Sequence, residues 1–319
     1  MKKLTCILLA LVMTIGIATV AFAQDTYKFG LLLYSETDEA TITIRNGVER
    51  ACEEYGVELE SYIIDQDYSR VPTYLQMFLD HGCDAIIDAS WSAEVGLVTS
   101  MTCKERGVPL VTCDVEYDDY AHLVGASNYG SGQINGEYVT EWVNEHWDGQ
   151  IDYVLAMYYV PGGDGVKARL DGCLDTLEEN GLLPAEENVI WFDGATTEIC
   201  YGYVMNWLQA NPEAEHIYII NNNDTGALGS YNGVVAMGRE EDCMITSYNC
   251  DSFALEHFAT TEDSCWKASC NFNLGGYGDI AVPALIDILE SGEDNQPHEL
   301  NTQTFMVDRS NVADYYTAQ

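Results

Sequence analysis

Short apolar runs alternate with segments of helical periodicity along nearly the whole chain, and no other feature narrows the choice of fold so far. Residues 28–34 (KFGLLLY) read as a strand. Behind them Ile44, Val48, Ala51, Cys52 and Tyr55 recur at helical spacing, and Gly56 marks the helix end. Strands are expected over 57–64, 85–89, 110–113 and 123–126, with helices over 71–81 and 95–106 between them. The helix over 95–106 carries Leu97, Val98 and Met101 on one side. The pattern then restarts, with helices over 132–146, 166–180, 203–209, 226–238 and 280–289 and strands over 151–158, 189–192, 217–220, 244–248 and 266–271. Such alternation predicts an α/β fold of two doubly wound parallel-sheet lobes, each sheet covered by helices on both faces.

The first residues carry a separate message. Met1-Lys2-Lys3, an apolar stretch from about Leu4 to Val20, and Ala21-Phe22-Ala23 ahead of Gln24-Asp25 form the three parts of a secretory signal peptide, residues 1–23. Cys6 lies inside the apolar run, too early to be a lipid-modified first residue, so a periplasmic or secreted protein without a lipid anchor is expected. Processing leaves 319 − 23 = 296 residues, room for two domains. Lys2 and Lys3 leave with the signal, so the mature charge is 11 − 52 = −41, which disfavours nucleic acid and anionic lipid as partners.

Ten cysteines remain: Cys52, Cys83, Cys103, Cys113, Cys173, Cys200, Cys243, Cys250, Cys265 and Cys270. They show no Cys-x-x-Cys pair and no clustered Cys/His spacing, so neither a metal nor a cofactor is expected. If the strands near Met244 and Trp266 are parallel neighbours, Cys243 and Cys265 enter them at the same level, and a disulfide or two free thiols would both fit.

In open parallel sheets the ligand crevice lies beyond the carboxyl ends of the strands. The residues just past each predicted strand are Asp38, Trp91, Asp114, Asn128, Lys167, Arg169, Asn223, Asp224, Asn249 and Asn271. Asp and Asn accept and donate hydrogen bonds in planar pairs, which suits vicinal hydroxyls, and Trp91 can cover the apolar face of a pyranose. Any one of these side chains serves equally well as a turn or helix-cap residue, but so many at one edge favour a binding site. A carboxylate at a crevice supports no core, so loss of Asp114 should spare the fold.

Three segments carry a family resemblance: Ser127-Asn128-Tyr129-Gly130-Ser131-Gly132-Gln133-Ile134-Asn135-Gly136-Glu137-Tyr138, Asn223-Asp224-Thr225-Gly226-Ala227-Leu228-Gly229, and Val307-Asp308-Arg309-Ser310-Asn311-Val312. They resemble the ribose- and galactose-type periplasmic sugar-binding proteins, solute-binding components of ABC importers whose lobes are related to the lac repressor core. The resemblance implies a multi-strand hinge between an N-terminal lobe (24–127 plus about 273–300) and a C-terminal lobe (128–272 plus about 301–319). It also implies a monomer that binds one monosaccharide or related polyol and delivers it to an ABC permease or a membrane sensor, with no enzymatic activity. Asp114 matches the family's hydroxyl-binding carboxylate, while Asn128, Asn223 and Asp224 fall on matched positions. Lys167 stands where an arginine usually reaches the sugar, with Arg169 one step further round. Several positions depart from the pattern: Val115 replaces an arginine, Ala40 and Thr41 an aromatic pair, and Asn249 an aspartate. Trp91, Tyr34 or Tyr248 are the candidates to supply stacking instead. A sensor input module and a carbohydrate-active enzyme built on two facing carboxylates are the alternative readings.

Overall fold

A computed structural model describes residues 26–292 and 295–316. The expected signal peptide lies outside the described residues. β1 (Lys28–Leu33) is an apolar run buried almost throughout; it feeds α1 (Glu39–Tyr55), which Asp38 caps and Gly56 ends at φ 69°. That left-handed terminus suits glycine, which has no Cβ to clash. β2 (Glu58–Ile63), α2 (Val71–Asp80), β3 (Ala85–Ala89), α3 (Ala93–Arg106), β4 (Leu110–Cys113) and β5 (His122–Gly125) complete the first run. The second comprises α4 (Asn128–His146), β6 (Tyr153–Tyr158), α5 (Gly163–Glu179), β7 (Val189–Asp193), α6 (Thr197–Ala210), β8 (Ile217–Asn221), α7 (Asp224–Met237), β9 (Cys243–Asn249), α8 (Ser252–Thr260) and β10 (Trp266–Asn271). α9 (Tyr277–Ser291), β11 (Glu299–Asn301) and β12 (Phe305–Asp308) follow.

Two sheets result. The first has the order β11-β5-β4-β3-β1-β2 and the second β12-β10-β9-β8-β6-β7. All pairings are parallel except β12, which runs antiparallel to β10. The chain therefore passes between the sheets three times: from β5 into α4, from β10 into α9, and from β11 into β12. In both sheets the strand order reverses beside the first strand of the run, which opens a crevice at the strands' carboxyl ends. Among the described residues no helix is long and apolar enough to cross a membrane.

Two expectations change. α3 turns Leu97, Val98 and Met101 to solvent, Met101 being 59% exposed, and buries Gly96, Thr99, Ser100 and Cys103 instead. The cause is the Tyr117 ring beneath it: a Cβ at position 96 would lie 2.1 Å from that ring, so only glycine lets the helix settle. β9 and β10 are parallel neighbours, yet Trp266 pairs with Ile245, which sets Cys265 one residue out of step with Cys243; both thiols are free and buried.

Candidate functional site

The first lobe's half of the site is built from four strand ends. After β1 the chain turns through Tyr34 and Ser35 to Asp38, whose Oδ1 accepts from the Thr41 amide at 2.8 Å and the Thr41 hydroxyl at 2.9 Å. Burial pushes this carboxyl above its ordinary range, against the pull of those two hydrogen bonds. Gln66 follows β2. After β3, Trp91 adopts φ 60° and sets its ring 5.3 Å from that of Tyr34, forming an aromatic wall. A positive φ at tryptophan is strained backbone, a feature that concentrates at binding sites. After β4, Asp114 also takes a left-handed conformation (φ 63°) and is 8% exposed. The buried Tyr277 hydroxyl donates to its Oδ1 at 2.5 Å. Burial raises the Asp114 carboxyl, and the charge of Arg169 together with the Tyr277 bond only partly offsets this.

The second lobe answers with the ends of β6, β7, β8 and β9. Arg169 on α5 is 5% exposed, so nearly every donor must find a partner inside. Its Nε donates to Asn128 Oδ1 at 2.9 Å and its Nη1 to the Asn222 carbonyl at 2.9 Å. The guanidinium lies 4.8 Å from the Phe272 ring centroid and 5.6 Å from that of Tyr248. Asn223 caps α7 through the Gly226 amide at 2.8 Å. Tyr159, after β6, meets Tyr68 of the first lobe through their hydroxyls at 2.5 Å.

These ends enclose a cavity of about 400 Å³ lined from both lobes. That volume belongs to the range of small-molecule sites. Among the expected residues, Asp38, Trp91, Asp114, Arg169, Asn223 and Asn249 line it. The others do different work. Asn128 stands behind the lining, accepting from Arg169 and donating through Nδ2 to the Asp114 carbonyl at 3.2 Å, so it ties the two charged residues together. Lys167 points away to an ion pair with Asp171 and lies 4.3 Å over the Trp191 ring. Asp224 is fully buried beneath the site, held by the Ser247 and Ser269 hydroxyls at 2.5 and 2.7 Å and the Asp251 amide at 2.7 Å. Asn271 turns back to accept from the Asn273 amide at 2.6 Å. Tyr34 and Trp91 supply the aromatic wall; Tyr248 is buried and donates to the Arg169 carbonyl.

Sequence reasoning passed over Glu39, Tyr159, Thr196, Thr197 and Phe253, all in the lining. Thr196 caps α6, which starts at Thr197 rather than near Tyr203; its first turn holds Thr-Glu-Ile, too polar to register as apolar periodicity.

The periplasmic binding protein domain family matches residues 29–294 of the chain. Comparison with curated protein sequences finds no relative. Among solved structures, an ABC transporter periplasmic solute binding protein from Actinobacillus succinogenes with bound D-allose is 18% identical. The match covers 91% of this chain and 100% of that one with a TM-score of 0.76. An ABC transporter solute binding protein from Bacillus halodurans with bound myo-inositol is 19% identical, with 91% and 97% coverage and a TM-score of 0.78. One from Agrobacterium vitis with bound allitol is 17% identical, with 91% and 98% coverage and a TM-score of 0.78. The structural likeness establishes a shared fold, and the domain match over most of the chain establishes its family: the chain belongs to the periplasmic binding proteins.

Proposed function

We propose that this protein captures a monosaccharide or a related polyol in the cavity between its lobes and delivers it unchanged to an ABC importer. The observation that carries this reading is the cavity of about 400 Å³ fed by strand ends of both sheets, with carboxylate, amide and hydroxyl groups opposite an aromatic wall. A ligand there touches both lobes at once and so favours the closed arrangement. Solved proteins of the same fold hold allose, myo-inositol and allitol, which are ligands of this size and hydroxyl content. The site residues proposed to contact the ligand are Asp38, Trp91, Asp114, Arg169, Asn223 and Asn249. The closing bodies are proposed as 24–127 with about 273–300, and 128–272 with about 301–319, in a periplasmic monomer released from its signal peptide. Mass spectrometry of small molecules freed on unfolding, followed by a thermal-shift panel of pentoses, hexoses, deoxysugars and polyols, tests it. A bound sugar or polyol recovered chemically intact is the expected result; a chemically altered ligand, or a panel in which nothing shifts, overturns it.

A further inference from the structure

We propose that the ligand of this crevice carries a protonated amine, held at the end of the cavity between Asp38 and Glu39. The inference rests on the monosaccharide reading above and names an amino sugar or amino polyol as the ligand class.

The lining holds the carboxylates Asp38, Glu39 and Asp114 against the guanidinium of Arg169. Arg169 faces Asp114, and its Nε and Nη1 are bound to Asn128 and Asn222. Asp38 and Glu39 are left without a cation in ion-pair contact among the described residues. Two further acids lie behind them. The Ser252 amide donates to Glu39 Oε1 at 2.5 Å across the lobes, which brings the start of α1 against the start of α8 and next to Asp251 and Asp224. Asp224 and Asp251 are 0% and 5% exposed, and Asp224 is satisfied by hydroxyls and an amide rather than by a cation. The Asp251 carboxyl is driven up by burial and then by the charges of Asp224, Asp38 and Glu39. The crevice thus gathers four acids where α1 and α8 start, a crowding that bound protons relieve in the free protein and that a cation arriving with the ligand relieves in their place.

Beside the charge, the lining keeps one carboxylate oxygen for a donor from the ligand. Both Thr41 bonds to Asp38 go to Oδ1, which leaves Oδ2 outside them. A sugar hydroxyl would donate a single proton and leave the charge standing. An ammonium donates three and neutralises it, and the rings of Tyr34, Trp91, Tyr159 and Phe253 in the same lining are favourable neighbours for a cation.

The test is calorimetric titration with matched series: D-glucose, D-glucosamine and N-acetyl-D-glucosamine, and the galactose and mannose sets. At least one amine should bind about tenfold or more tightly than both its hydroxyl and N-acetyl partners, because its hydrogen bonds to carboxylates are charge-assisted. The double variant Asp38→Asn, Glu39→Gln should shrink that ratio severalfold; asparagine still caps α1, and circular dichroism checks the fold. Should the double variant not fold, the wild-type ratios alone decide. Neutral members binding as tightly as the amines, or a ratio unchanged in the folded variant, overturns the amine and leaves the monosaccharide reading standing. Binding by no member overturns the amine, and the wider panel of pentoses, deoxysugars and polyols then decides the monosaccharide reading. Thermal stabilisation by calcium chloride alone that the variant abolishes assigns the acids to a metal and overturns the amine.

Discussion

Replacing Asp114 by alanine is the most informative perturbation, because sequence and structure disagree about its outcome. Read from the sequence, Asp114 is a crevice carboxylate whose loss spares the fold. The structure gives it three structural duties. It accepts from Tyr277, whose hydroxyl would be orphaned in a fully buried site at a cost of about 1–3 kcal/mol. Its φ of 63° costs alanine ~1–2 kcal/mol more than it costs aspartate or asparagine, which tolerate the left-handed region. Its charge also faces Arg169 in the interior, so the guanidinium loses its counter-charge. Relief of the buried carboxylate's own desolvation works in the other direction. The net loss for Asp114→Ala is on the order of 3 kcal/mol, equivalent to a fall in Tm of roughly 6–12 °C for a domain of this size. Asp114→Asn keeps both the acceptor and the backbone preference and should lose less than half as much. Differential scanning calorimetry of ligand-stripped protein measures both. An alanine variant that melts within about 2 °C of the wild type would refute the structural role and restore the simpler view.

Five further outcomes are expected. Burial raises the Asp88, Asp114, Asp224 and Asp251 carboxyls, Asp224 to about 7, so each binds its proton more readily folded than unfolded. That contribution is fully present below the unfolded values and lost as pH rises through the folded ones, so Tm should rise as pH falls from 8 to about 6.5. Below that His257, lowered by burial to about 4, opposes the gain because the unfolded state then takes up more protons; a flat or inverted profile between 8 and 6.5 refutes the assignment. Gly132→Ala should destabilise, since its Cβ would stand 2.3 Å from the Arg169 carbonyl oxygen across the α4–α5 contact. Gly202→Ala on α6 meets nothing within 4 Å and should stabilise by about 0.5–1 kcal/mol in urea titrations. Tyr159→Phe removes the hydroxyl contact with Tyr68 between lobes, and small-angle scattering should show a larger radius of gyration than wild type before ligand and compaction after it. Alkylation in denaturant without reductant should label both Cys243 and Cys265; a disulfide-linked peptide would contradict the register of β9 and β10.

Most of the scaffold was legible because each lobe is written in a repeating code. The strands over 85–89 and 110–113 coincide with β3 and β4 because buried parallel strands are short, largely apolar runs bounded by turn residues, and 266–271 coincides with β10 because Trp266, Ala268 and Cys270 alternate with polar residues. β11 escaped because Glu-Leu-Asn has no apolar signature; it is a strand only because β5 offers it an edge. α8 was missed for a related reason, being nine residues that bury only Ala254 and Phe258. At the site, position along the chain told which residues stand near the strand ends but not which way their side chains turn. Lys167 and Arg169 lie two residues apart on one helix. The first finds Asp171 one turn on and stays outside, while the second reaches Asn128 and Asn222 inside. Such choices depend on partners 41 and 53 residues away, beyond the range of local pattern.

The three crossings between the sheets have a consequence for the order in which the molecule can be finished. The first sheet takes its last strand, β11, from residues 299–301, and α1 packs against α9, which buries Ala281, Val282 and Leu285 on the same lobe. During synthesis the first 125 residues therefore emerge with the β5 edge unpaired and part of the α1 surface bare, and they stay so until nearly the entire chain has been made. An open strand edge invites pairing with other chains. A fragment ending after β5 should accordingly aggregate, and a circular permutant that joins α9 and β11 ahead of β1 should let that lobe complete itself first.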